Sequence, residues 1–233
     1  MKMNLLTLGN TKTLKGESLG YLTGILHLSP ATLSGVANVC PKASAGCKAA
    51  CLNTAGRGGM FRKGETTNAV QKARVRRTQM LFNERDAFMS LLVLDIRKLC
   101  KQAAKLNMVP AVRLNGTSDL RWEVWPVGMF ANIFAMFPDV QFYDYTKIPN
   151  RRDLPENYHL TFSLSESNDT EALAQLERGV NVAVVFKTLP AMFMDRPVIS
   201  GDTTDLRFLD PKNVIVGLTA KGRAKQDVSG FVR

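Results

Sequence analysis

Residues 159–187, HLTFSLSESNDTEALAQLERGVNVAVVFK, read as strand, helix, strand. The runs at 159–164 and 180–186 are short and rich in β-branched and aromatic residues, and 169–178 between them is a helical segment. A helix joining two strands returns the chain to the end of the sheet where it began, so the strands lie parallel. The same texture recurs outward from this unit, at 110–114 (PAVRL), 140–145 (VQFYDY), 197–200 (PVIS) and 214–218 (VIVGL), with a second helical segment at 127–137. Towards the N-terminus, 18–30 (SLGYLTGILHLSP) reads as a first strand carrying Tyr21, Leu22, Ile25 and Leu26, stopped by Pro30. Seven such strands are too few and too closely spaced for a closed eightfold barrel of ~250 residues. The expected fold is therefore α/β, an open or partial (β/α) barrel with mostly parallel strands.

The longest helical pattern covers 65–106 and is expected to break near Asn83 and Glu84. Its second half sets Phe88, Leu91, Leu92, Ile96, Leu99 and Ala103 on one face and turns Arg97, Lys98 and Lys101 outward. Cys100 falls at the margin of that face and reads as a packing residue. Trp122 and Trp125 read as packing anchors.

Polar residues gather where the strands end: Asn115 to Asp119, Asp144 with Lys147, Ser163 with Glu166, Lys187, Asp202, and Lys221 with Arg223. Ligands of parallel α/β folds bind at the carboxyl ends of the strands, so these groups would ring one mouth. Loops are polar in any case, so it is the repetition at six strand ends that carries the reading. Asn115, Asp144, Ser163, Lys187 and Asp202 are the candidate cofactor contacts. Arg113, Asp144 and Lys187 are either ligand contacts or members of an internal ion-pair network, since a buried charge needs a partner.

The stretch 39–64, VCPKASAGCKAACLNTAGRGGMFRKG, follows the first strand and would hang over that mouth. It holds Cys40, Cys47 and Cys51 in a C-x6-C-x3-C spacing, on a loop of small residues that leaves room for a metal centre. Alternation with Lys42, Ser44 and Lys48 gives no apolar face of either helical or strand period. A structural zinc site closes with four ligands, and neither His27 nor His159 is near in sequence. A [4Fe-4S] cluster on three thiolates leaves one iron for a substrate or cofactor. A zinc protein with a distant fourth ligand is the lesser alternative. The GRGG at 56–59 reads as a flexible turn, and no phosphate-binding P-loop is present.

Cys40-Pro41, Cys47, Cys51-Leu52 and the trailing 53–58 (NTAGRG) resemble a bacteriophage family of three-cysteine proteins, the gene product 88 type. More distantly the loop is similar to that of radical S-adenosylmethionine (SAM) enzymes. Those use C-x3-C-x2-C with an aromatic before the last cysteine, whereas here the gaps are longer and Ala50 takes the aromatic's place. The resemblance implies a phage origin, a [4Fe-4S] cofactor, a radical-SAM-like partial barrel and SAM as a further cofactor.

The 233 residues, 45% of them apolar, suffice for one domain, divided into 1–64 with the first strand and cysteine loop, a basic helical segment 65–106, and β/α repeats over 107–233. No run approaches the ~18 apolar residues of a membrane span, and the expected location is the cytoplasm, the host's if phage-encoded. The formal charge of +11 is concentrated after the cysteine loop. Arg62, Lys63, Arg74, Arg76 and Arg77 are the candidate contacts to nucleic acid or a phosphorylated ligand, against the alternative of a solvated helix face. Aromatic residues are thin there, only Phe61 and Phe82, so base stacking is not expected. Three functions remain open: a radical-SAM-like enzyme on a nucleotide, nucleic acid or other anionic substrate; a non-catalytic [4Fe-4S] protein binding nucleic acid or a partner; and a structural zinc protein.

Overall fold

A computed structural model of the chain describes residues 3–9 and 11–233, with only the backbone of 11–13. In chain order the elements are β1 (Leu6–Thr7), α1 (Thr11–Glu17), β2 (Tyr21–Leu26), α2 (Ala45–Ala49), α3 (Ala69–Asn83), α4 (Arg85–Lys105), β3 (Val109–Arg113), α5 (Ile133–Met136), β4 (Gln141–Thr146), β5 (Tyr158–Ser163), α6 (Asp169–Glu177), β6 (Val182–Phe186), β7 (Met192–Phe193), β8 (Arg196–Ser200) and β9 (Ile215–Thr219). The strands form one nine-stranded sheet in the order β1-β2-β3-β4-β5-β6-β9-β8-β7. From β2 to β8 every neighbour is parallel, and β2 to β6 lie side by side in chain order. The sheet is open, with the two-residue strands β1 and β7 as its edges, each antiparallel to its neighbour.

All seven expected strands are present; β1 and β7 are additions. A two-residue strand carries no period to read, and β7 exists because Met194 and Asp195, both at positive φ, close a tight hairpin onto β8. The first strand is shorter than expected, ending at Leu26 before Pro30 is reached.

Alternation along the strands divides the sheet into two faces. Leu22, Leu26, Val112, Leu114 and Phe142 pack against Phe88, Leu92, Ile96, Leu99 and Ala103 of α4, the face its sequence announced. Further along, α6 supplies Ala172 and Leu176 against Phe162, Val182, Val184, Phe186 and Ile215. On the opposite face Tyr21, Ala111 and Tyr143 meet Leu206 and Phe208 of a segment, 205–210, that crosses the strands. There Arg113 pairs with Asp205 at 3.0 Å, and fully buried Arg207 with Asp210 at 3.2 Å.

The long helical pattern breaks where expected. Glu84 leaves helical geometry (φ −138°, ψ 52°), while its N–H still closes α3 on the Met80 carbonyl. The pattern begins later than Glu65, at Ala69, because Asn68 caps α3 by accepting the Gln71 N–H. The helix expected over 127–137 shrinks to α5. Pro126 and Gly128 (φ +57°) favour a turn instead, in which Val127 and Phe130 exchange two backbone hydrogen bonds. No helix among the described residues is long and apolar enough to cross a membrane.

Candidate functional site

The loop leaving β2 is short of apolar residues, so specific hydrogen bonds fix it over the carboxyl ends of β3, β4 and β5. Val39, fully buried, anchors its first part, and its carbonyl accepts the Asp119 N–H at 2.8 Å. Cys40 Sγ accepts the Ala31 N–H at 3.3 Å and lies 3.8 Å from the Thr117 carbonyl, beyond the end of β3. Cys47 lies in α2, whose first turn is clamped by Glu166 from beyond β5. That carboxylate accepts from the Ser44 hydroxyl and the Gly46 N–H, both at 2.7 Å, and Ser44 Oγ accepts the Cys47 N–H. Only glycine fits at position 46, where a Cβ would lie 2.2 Å from Ser229 Oγ and 2.8 Å from Phe231 Cβ. Cys51 Sγ accepts the Asn53 N–H at 3.5 Å.

No disulfide joins the four cysteines. Burial pushes the Cys40 thiol up to about 11; the Ala31 N–H opposes this, and Cys51 and Cys47 add to it. Burial also raises Cys51, with Cys47 adding to the shift and the Asn53 N–H, Arg74 and Lys147 opposing it. Burial therefore keeps Cys40 and Cys51 as thiols, and a cationic centre is what would make them thiolates. Among the described residues no three His, Cys, Asp or Glu side chains are grouped to hold a single metal ion. Tetrahedral zinc would need its thiolate sulfurs roughly 3.8 Å apart. A cubane spreads its thiolates over separate irons and takes a wider triangle, and amide N–H groups directed at sulfur are a known influence on cluster potential. Three soft sulfur donors on one loop are the chemistry on which such a cluster would draw.

Cys100 is elsewhere, packed on the α4 core near Asp139. The GRGG turn is close-packed: a Cβ on Gly58 or Gly59 would meet the Asn53 or Thr54 carbonyl at 2.5 and 2.1 Å. It buttresses the turn after Cys51.

Of the expected cofactor contacts, Asn115 and Asp144 meet each other. Asp144, fully buried, accepts the Asn115 N–H (2.7 Å), Asn115 Nδ2 (3.2 Å) and the Tyr158 hydroxyl (3.0 Å). Asn115 in turn accepts from the Leu120 N–H, the Ser118 hydroxyl and Trp122 Nε1. Arg113 is engaged by Asp205 and stands 4.0 Å from Asp144, so these charges form an internal network. Ser163 accepts from Lys147 Nζ at 2.8 Å, whose charge reaches Cys51. Lys187 is exposed, and Asp202 is taken up by Lys221 and the Thr219 N–H.

Burial pushes the Asp144 carboxyl up to about 7, against the opposing pull of Arg113 and its hydrogen-bond donors. The unfolded chain releases this proton near the ordinary value of 3.8 and the folded chain keeps it. Stability from this group is therefore complete below 3.8, falls as pH rises towards 7, and is level above. We expect the urea midpoint of the wild type to fall more between pH 5 and pH 8 than that of Asp144→Asn; equal falls would contradict the buried acid.

The basic stripe divides. Arg74 is buried and donates to Asn53 Oδ1 at 2.6 Å, so it braces the cysteine loop. Arg77 donates to the Asn4 carbonyl at 3.2 and 3.0 Å. Arg62, Lys63 and Arg76 are exposed. The contribution of 229–233 was invisible in sequence. Phe231 and Val232 pack beside Cys47 and Ala50, and Lys147 Nζ lies 5.5 Å from the Phe231 ring. A short segment without periodicity gives no signal of such a role.

A family model described as gene product 88 matches residues 4–233. No curated protein and no solved structure matches the chain, so neither comparison supports the likeness to radical SAM enzymes.

Proposed function

The chain belongs to the gene product 88 family, a phage-type family, and from the geometry of its thiol loop we propose that it is an iron–sulfur protein of radical-SAM-like activity on an anionic substrate. Cys40, Cys47 and Cys51 would hold a [4Fe-4S] cluster, leaving one iron without a protein thiolate. The observation that carries this reading is the placing of Cys40, Cys47 and Cys51 on one loop over the carboxyl ends of parallel strands. The order of β2 to β6 supports a partial barrel, because singly wound barrels lay strands down in chain order.

When bound, such a cluster supplies one-electron reduction. The chain's own groups do the rest: Glu166 and Arg74 hold the two ends of the thiol loop, and the charge of Lys147 favours the thiolate of Cys51. A non-catalytic iron–sulfur protein is the second reading, and the mutual saturation of Asn115, Asp144 and Tyr158 favours it. We expect anaerobically prepared protein to carry close to one four-iron cluster, and SAM to change the EPR signal of the reduced form. A signal indifferent to SAM leaves the second reading standing. Stoichiometric zinc without labile sulfide overturns both.

A further inference from the structure

Beside the thiol loop is a cleft of about 610 Å³, within the range of small-ligand sites. One wall is α3, which presents Lys72 and Arg76 one turn apart, and Arg223 faces in as a third cation. None of the three makes an ion pair among the described residues, and no carboxylate lines the cleft. Unpaired cations converging on a concave surface without acids favour an anion. Thr66 and Thr67 add hydroxyl donors just before the N-terminus of α3, a 15-residue helix whose dipole also favours negative charge.

The cleft is not uniformly polar. Phe61 and Val75 line it, giving a flat apolar surface within the same enclosure as the cations. We propose that this cleft binds a nucleoside phosphate, its phosphates on Lys72, Arg76 and Arg223 and its base against Phe61. Base stacking, unexpected from a sequence with few aromatics, needs only one well-placed ring. The ligand has two sources, a free nucleotide or a unit of a single strand. Lys72 also lines an adjoining cleft of about 350 Å³ with Arg57 and Arg62, three cations against the single carboxylate of Glu65, which would continue a strand's path.

Asn53 and Thr54, the turn after Cys51, line the nucleotide cleft, which puts the ligand next to the thiol loop. The proposal names the substrate class of the enzyme reading and rests on that reading only for what is done to the ligand; binding stands apart from it.

The test is anisotropy at low salt with cluster-loaded protein, using a fluorescent ATP analogue and a labelled dT12 oligonucleotide, with iron and sulfide measured on every variant. Binding of the ATP analogue identifies the free nucleotide. Binding of dT12 alone identifies the strand, and the triple variant Lys72→Ala, Arg76→Ala, Arg223→Ala should then flatten the salt slope by about 2. In either case the triple variant weakens binding at least about tenfold, and Phe61→Ala weakens it by about 5- to 100-fold, with the cluster retained. The pair Arg97→Ala and Lys101→Ala, removing charge from the exposed face of α4, changes binding little. The proposal is overturned if neither probe binds, if the triple variant binds as wild type, or if pyrophosphate competes as well as the nucleotide while Phe61→Ala has no effect. A protein that binds nucleotide but carries no cluster refutes both iron–sulfur readings and leaves the nucleotide site standing.

Discussion

Protein purified without oxygen from iron-replete cells is expected to be brown, and Cys40→Ala, Cys47→Ala and Cys51→Ala each to bleach it, while Cys100→Ala keeps the colour. The contrast follows from position. Cys40, Cys47 and Cys51 lie on one loop over the strand ends, whereas Cys100 packs on α4. Glu166→Ala gives an intermediate result, because it removes the clamp on Ser44 and Gly46 without removing a thiol. Loss of such an outer contact costs about tenfold or more in affinity for the bound group, so partial loading at limiting iron is expected. A Cys47→Ala protein with full iron and sulfide content would sink the assignment.

The largest effect on stability is expected at Arg151, which in the sequence is an ordinary loop arginine. Its side chain is 2% exposed and donates to both Glu123 oxygens, at 3.1 and 2.6 Å, and to the Tyr158 hydroxyl at 3.2 Å, with Asp119 at 3.9 Å. Truncation to Ala takes from Glu123 its buried partner and both of the bonds made to it by Arg151, which costs about 3–5 kcal/mol and lowers Tm by roughly 6–20 °C for a chain of this size. Arg121 touches the same Glu123 from a half-exposed position, so Arg121→Ala should cost at most about 1 kcal/mol. Calorimetry on the two variants decides it, and similar losses would mean that burial does not set the strength of these pairs.

The fold was legible where chemistry repeats. Strands of period two, the apolar face of α4 and the break at Glu84 leave marks within a few residues, and all are present as read. The cysteine loop was legible as a candidate site because a loop with no apolar face has no packing use for three thiols. What escaped depends on partners distant in sequence. Arg74 and Arg76 look alike in the chain, yet one is spent on Asn53 and the other faces a cleft. The segment 205–210 crosses the sheet because Asp205 meets Arg113 and Phe208 meets Tyr21 and Tyr143, contacts no local pattern encodes. Asp144, read as either a ligand contact or a member of an internal network, is satisfied by Asn115 and Tyr158.

Phe231 beside Cys47 also sets a timetable for biosynthesis. At translation rates of 5–20 residues per second the thiol loop leaves the ribosome roughly 10–40 s before the segment that packs against it. Until then Gly46 lacks its neighbours Ser229 and Phe231, and Val185 at the sheet lacks its bridge to Val232. For that interval the nascent chain holds Cys47 and Gly46 without the packing that Ser229 and Phe231 supply.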